Sequence, residues 1–231
     1  MKKSRESPGF FSVGEVSTRL KREYGEKRVP RKRPGVIEEM VRTILSQNTT
    51  DLNSGRAYAN LRRTFPGWSD VASAPVSRIA GAIRVGGLAD QKARRIKKIL
   101  GRIKKEHGDY SLQHLCKKPT GDARQYLLGF KGVGEKTAAC VLLFACGKPA
   151  FPVDTHIFRL GRRLGWLDSK ISVADAHRYF EKKVPQKDMY SLHLNMIAHG
   201  REACHSQKPE CSRCCLKSRC YYYRGIHEYA S

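Results

Sequence analysis

Near the C-terminal end of this 231-residue chain, four cysteines fall at one spacing: Cys204-x6-Cys211-x2-Cys214-x5-Cys220. In a reducing compartment such a crowd of thiols binds metal more readily than it forms disulfides. Zinc sites pair two short Cys-x(2–4)-Cys hooks across a longer gap. Here a single Cys-x2-Cys is flanked by lone cysteines, which suits a cubane ligated at its corners. Spacing therefore favours an iron–sulfur cluster over zinc. Cys215 stands outside the pattern. Cys116, Cys140 and Cys146 are scattered through helix-like sequence and read as small core residues.

Charge narrows the partner. The chain carries 45 Lys and Arg against 21 Asp and Glu, a formal net charge of +24. A field of that sign draws polyanions whatever the fold, so nucleic acid is the expected partner class. The longest apolar run, Ala138 to Cys146, is far short of the ~20 residues a spanning helix needs, and no long apolar segment follows the N-terminus. These features predict a protein that stays inside the cell and has no membrane partner.

The hydrophobic pattern is helical throughout. Val36, Ile37, Met40, Val41, Ile44 and Leu45 lie on one stripe, and Ile96, Ile99, Leu100 and Ile103 on another. Eight Lys and Arg and no acid lie between Gln91 and Lys105; the reading is one core face and a basic, solvated remainder. Further helices are expected over Ala57–Phe65, over Thr137–Cys146, after a capping-box-like Ser172-x-x-Asp175, and over Tyr190–His199, stopped by Gly200. No alternation of period two stands out. The stretch Cys146 to Pro152 is turn-rich and extended, a natural crossing between two parts of a fold.

Two further constellations carry chemistry. Gly132-Val133-Gly134 precedes Glu135-Lys136-Thr137 and an apolar helix. This is either an ordinary helix–helix turn or the hairpin of a helix-hairpin-helix, whose backbone amides grip a phosphate without reading sequence. Asp154 stands ahead of another helix, where an Asp is usually an N-cap. It also follows Lys136 by 18 residues, just past the Gly/Pro-rich crossing, and an amine paired with a carboxylate makes a nucleophile and its activator.

Taken together, the cysteine spacing, the Gly-x-Gly hairpin with Lys136, and Asp154 resemble the endonuclease III family of helix-hairpin-helix DNA glycosylases. The resemblance runs from about Val36 to Cys220. It implies an all-α fold: a six-helix barrel over residues 29–146 carrying the hairpin, and a discontinuous cluster domain from residues 1–28 and 147–231, with DNA crossing between them. It implies a [4Fe–4S] cluster on Cys204, Cys211, Cys214 and Cys220, and a monomer acting on double-stranded DNA that contains a damaged base or an abasic site. Lys136 falls on the Schiff-base lysine of the bifunctional members and Asp154 on the family's Asp. Gln47 and Asn48 fall on the pocket-lining loop, Leu88 on the wedge after Gly86-Gly87, and Gly132 and Gly134 on the hairpin; His156 is a further DNA contact. The implied reaction is excision of a damaged pyrimidine followed by β-elimination. Alternatives are a monofunctional glycosylase of mismatched uracil or thymine, a methylcytosine glycosylase, and a non-catalytic iron–sulfur DNA-binding module. Phe130-Lys131 replaces the Leu-Pro common before the hairpin, and Asn48 replaces a common Gln; Phe151–Trp166 and Ser206–Pro209 also look like the plant methylcytosine glycosylases.

Overall fold

The computed structural model describes residues 9–168 and 170–228, with side chains to 225. Its regular structure is helical, with no strand among the described residues. The helices are α1 (Val13–Tyr24), α2 (Val36–Leu45), α3 (Asp51–Thr64), α4 (Trp68–Ser73), α5 (Val76–Ile83) and α6 (Ala89–His107), followed by α7 (Thr120–Leu128), α8 (Glu135–Cys140), α9 (Thr155–Arg163), α10 (Val173–Lys183), α11 (Gln186–Glu202) and α12 (Tyr221–Glu228). The chain divides into two compact units. One is Lys32–Lys148; the other is formed by the segments on either side, up to Arg31 and from Pro149 onward.

In the central unit α2 supplies the core. Its six apolar residues from Val36 to Leu45 are all buried, each worth roughly 1.5–3 kcal/mol of transfer free energy. α2 packs on α3, α6 and α8, and α6 lies along α5. Ile96, Ile99, Leu100 and Ile103 face that core as their spacing predicts.

The basic run on α6 departs from a simply solvated face. Lys92 is buried and its Nζ donates to the carbonyl of Leu45, the last residue of α2, at 2.8 Å. Lys97 donates to the carbonyls of Ala72 and Ala74 at the end of α4. Arg102 donates to the carbonyl of Gly129, just past α7. Helix C-termini leave carbonyls without intrahelical partners and carry partial negative charge, so cations are stabilised there. Three of the eight basic residues thus cap neighbouring helices, while Arg94, Lys98, Lys104 and Lys105 remain exposed.

Several local expectations change. α3 begins at Asp51, ahead of the expected Ala57, because the Thr50 side chain accepts from the amide of Asn53 and starts the helix early. The helix expected over Thr137–Cys146 is α8 followed by a π turn at Val141–Ala145, with the Cys146 amide donating back to the Val141 carbonyl at 3.2 Å. Cys116 and Cys146 are joined in a disulfide; their partnership is set by a fold that brings positions 30 apart together. Cys140 is buried, as a core residue should be.

In the flanking unit, α11 packs on α1 and α9. Trp166 donates its indole N–H to the carbonyl of Phe11 at 2.7 Å, tying the N-terminal segment to the later helices. Ser172 caps α10 as predicted, its hydroxyl accepting from the Asp175 amide. Gly200 does not stop α11, which runs on to Glu202. A Cβ at Gly200 would stand 2.7 Å from Cβ of His156. The glycine is there for close packing, not for termination.

Candidate active site and cysteine pocket

In the central unit, the hairpin joins α7 to α8. Gly132 has φ of +90°, a conformation that strains any side chain, and a Cβ there would also collide with Arg95. Gly134 is the N-cap residue of α8. Glu135, in the first turn, pairs with Arg124 of α7 at 3.0 Å, which locks the two arms of the hairpin together. Lys136 follows, half-buried. Glu39 lies on α2, which packs against α8. Burial pushes its carboxyl up to about 7, while the Thr43 hydroxyl and the charges of Arg42 and Lys136 pull it back. Sequence reasoning missed Glu39, because one acid on an amphipathic helix looks like any solvated one.

Gln47 and Asn48 sit just past the end of α2. Gln47 accepts from Arg95 Nη1 at 2.6 Å through its side-chain oxygen. Asn48 is exposed, with φ of +51°. Leu88 follows Gly87, has φ of +48°, and leaves half of its surface in solvent. An aliphatic side chain held outward in the left-handed region gains nothing from local packing and costs roughly 1–2 kcal/mol of backbone strain. Such strain is characteristic of residues placed for function.

In the flanking unit, Asp154 is the N-cap residue of α9, its Oδ1 accepting from the Ile157 amide at 2.8 Å. The cap engages one of the two carboxylate oxygens. His156 is half-buried, its ring against Gly200 and its Nδ1 3.0 Å from Arg159 Nη2.

Cys204, Cys211, Cys214 and Cys220 line one open pocket, together with residues that include Leu160, Leu164, His199 and Leu216. Cys215 is not part of that wall. Burial pushes the Cys214 thiol up to about 12 and raises Cys211 and Cys220 as well. Donors are already aimed at sulfur: Arg163 Nη1 lies 3.1 Å from Cys204 Sγ, and the Leu216 amide 3.3 Å from Cys214 Sγ. His199, which burial holds down at about 4, places Nε2 3.4 Å from Cys214 Sγ and Nδ1 3.0 Å from the Tyr24 hydroxyl. Among the described residues no three His, Cys, Asp or Glu side chains converge as a single ion would require. The four thiols line one pocket beside hydrogen-bond donors that suit thiolate sulfur. Those features fit a cluster.

Residues 41–186 match the HhH-GPD superfamily of base excision DNA repair proteins. The chain belongs to that family. It is 37% identical to the endonuclease III of Sulfolobus acidocaldarius over 81% of this chain and 82% of that protein. It is 40% identical to the candidate DNA glycosylase At3g47830 of Arabidopsis thaliana over 72% of this chain, and spans 57% of that protein's length. Against the Arabidopsis DNA glycosylase/AP lyase ROS1 it is 32% identical and spans 12% of the length. Among solved structures, an endonuclease III trapped as a covalent intermediate with DNA matches with a TM-score of 0.79 at 26% identity, covering 93% of this chain and 97% of that one. The all-α, endonuclease III-like architecture is therefore established, and no described helix is long and apolar enough to cross a membrane.

Proposed function

We propose that this HhH-GPD protein is a bifunctional DNA glycosylase and AP lyase acting as a monomer on duplex DNA, with a damaged pyrimidine as its substrate base. The observation that carries the reading is Lys136, at the start of α8 directly behind the glycine hairpin and within electrostatic reach of a carboxyl, Glu39, whose proton affinity lies near neutrality. A similar endonuclease III has been solved as a trapped covalent intermediate with DNA, and an amine such as Lys136 can form such a covalent bond.

A base inside a duplex is out of reach, so the nucleotide must be flipped out, at a cost of a few kcal/mol. Leu88 wedges into the stack and Asn48, with Gln47 behind it, fills the vacated space. The amides around Gly132 and Gly134 hold a neighbouring phosphate, and His156 contacts the DNA from the flanking unit. Asp154 helps free Lys136 of its ammonium proton, with the Glu39 carboxyl adding its charge nearby. The neutral Nζ then forms a bond to C1′ as the C1′–N glycosidic bond breaks, its electron pair leaving with the base, which takes up the proton that Nζ sheds on bonding. Asp154 stabilises the positive charge that builds on the sugar during this step. The C1′–O4′ bond opens to an imine as O4′ takes up a proton, C2′ gives a proton to solvent, and the C3′–O bond breaks with its electron pair leaving on the phosphate, nicking the strand. Cys204, Cys211, Cys214 and Cys220 would hold a [4Fe–4S] cluster, which would cross-link the C-terminal segment.

Borohydride trapping tests the assignment. Reduction during turnover should leave a covalent protein–DNA adduct, since only an amine nucleophile passes through an imine. Lys136→Gln should abolish adduct and nicking while retaining DNA binding. Base release without trapping in the unaltered protein would establish a monofunctional glycosylase instead. Duplexes carrying oxidised pyrimidines, uracil, mismatched thymine and methylcytosine identify the base.

A further inference from the structure

Building on the reading of Leu88 and Asn48 as the residues that occupy the vacated base position, we propose that Lys92 and Arg95 are positioning residues, two side chains on adjacent turns of α6 that set the 46–50, 84–88 and 129–134 loops in one register.

Lys92 has only 1% of its surface exposed. An ammonium group in such a place costs several kcal/mol unless hydrogen bonds satisfy it. A Leu or Met would fill the same space without that cost, so packing alone does not account for the amine. Its two bonds do. Nζ donates to the Leu45 carbonyl at the end of α2 and to the Gly86 carbonyl at the start of the wedge turn, each at 2.8 Å. The backbone N–H of the same residue donates to the Leu88 carbonyl at 3.0 Å. The Lys92 side chain therefore ties the residue before the Gly87–Leu88 pair to the end of α2, while the first backbone bond of α6 holds Leu88 itself, so that the two φ angles of +70° and +48° are bracketed on both sides. That turn approaches the other strained loop directly, since a Cβ on Gly87 would stand 4.0 Å from the Asn48 carbonyl oxygen.

Arg95 continues the arrangement. Nη1 donates to Gln47 Oε1 at 2.6 Å, and the rest of the side chain lies against Gly132, whose missing Cβ leaves it room. The pocket loop, the wedge turn and the phosphate hairpin are thus gauged from one rigid helix. The consequence is that Leu88 and Asn48 move as a unit, and a change at Lys92 loosens both.

The test compares the iron-loaded 231-residue protein with Lys92→Met and Arg95→Met by amide hydrogen exchange. Losing a buried charged donor should raise exchange by about tenfold or more. Lys92→Met should do so in the 46–50 and 84–91 segments together, and Arg95→Met in the 46–50 and 129–134 segments. A rise confined to one loop, or spread evenly over the central unit, would overturn the proposal. Should Lys92→Met fail to fold, Gly87→Ala strains the same turn from outside the core and must loosen the 46–50 segment too; an unchanged segment overturns the coupling. Single-turnover excision adds a functional arm. Lys92→Met and Leu88→Ala should each slow excision, and the double variant should be no slower than the worse single; multiplying effects would show independent action and sink the claim. If Leu88→Ala excises at the unaltered rate, the wedge reading falls, and the exchange data alone decide the positioning roles.

Discussion

Replacing Glu39 with Gln should make the protein more stable and less active at the same time. Burial raises this carboxyl from its ordinary 4.5 to about 7. Between those values the folded chain holds a proton that the unfolded chain has released, so stability falls as pH rises through that window. Above it, the ionised carboxylate costs roughly 3 kcal/mol relative to the protonated group. A Gln amide has nearly the same shape, carries no charge, and still offers an oxygen to the Thr43 hydroxyl that now bonds Glu39 at 3.3 Å. Glu39→Gln should therefore melt above the unaltered protein at pH 8, by up to about 6–12 °C for a chain of this size. The gap should close as pH falls toward 4.5. Excision at pH 8 should slow over the same comparison, because Lys136 loses the carboxylate charge that interacts with it. Thermal melts across pH 4.5–8 and single-turnover borohydride trapping measure the two effects. An equal or lower melting temperature at pH 8, or a gap that does not change with pH, would refute the buried-carboxyl reasoning; unchanged trapping kinetics would refute its link to Lys136.

The cysteine pocket and the disulfide give two further predictions. The protein should be brown with about four irons per chain; Cys211→Ser should bleach it and Cys215→Ser should not, and stoichiometric zinc without iron after anaerobic purification would overturn the assignment. The Cys116–Cys146 bridge closes a loop over 30 positions that contains the whole hairpin, which on chain-entropy grounds stabilises by about 3–4 kcal/mol. Cys116→Ser should accordingly lower the melting temperature while leaving Lys136 trapping at 25 °C intact; loss of trapping in the folded variant would show that the bridge shapes the site.

Much of this molecule was legible in its residue order because the relevant physics is local. Periodicity of 3.6 residues places Val36–Leu45 and Ile96–Ile103 on core faces, and a Ser three residues before an Asp announces the start of α10, since side-chain reach along a helix is set by the backbone itself. The spacing Cys204-x6-Cys211-x2-Cys214-x5-Cys220 identifies four thiols that line one pocket and leaves Cys215 outside it. Tertiary structure alone decided what each cation, acid and glycine does. Lys92, Lys97 and Arg102 are basic residues of one run with Lys98 and Lys104, and what sets them apart is a neighbouring helix end lying across from each. Glu38 and Glu39 are adjacent, yet Glu38 pairs with Arg42 while burial raises Glu39 toward neutrality. Gly200 reads as a helix stop until His156 is found against it, and Cys116 and Cys146 read as core until they meet. Hydrogen-bond partners, burial and electrostatic environment belong to pairs of residues distant in the chain, and only folding brings those pairs together.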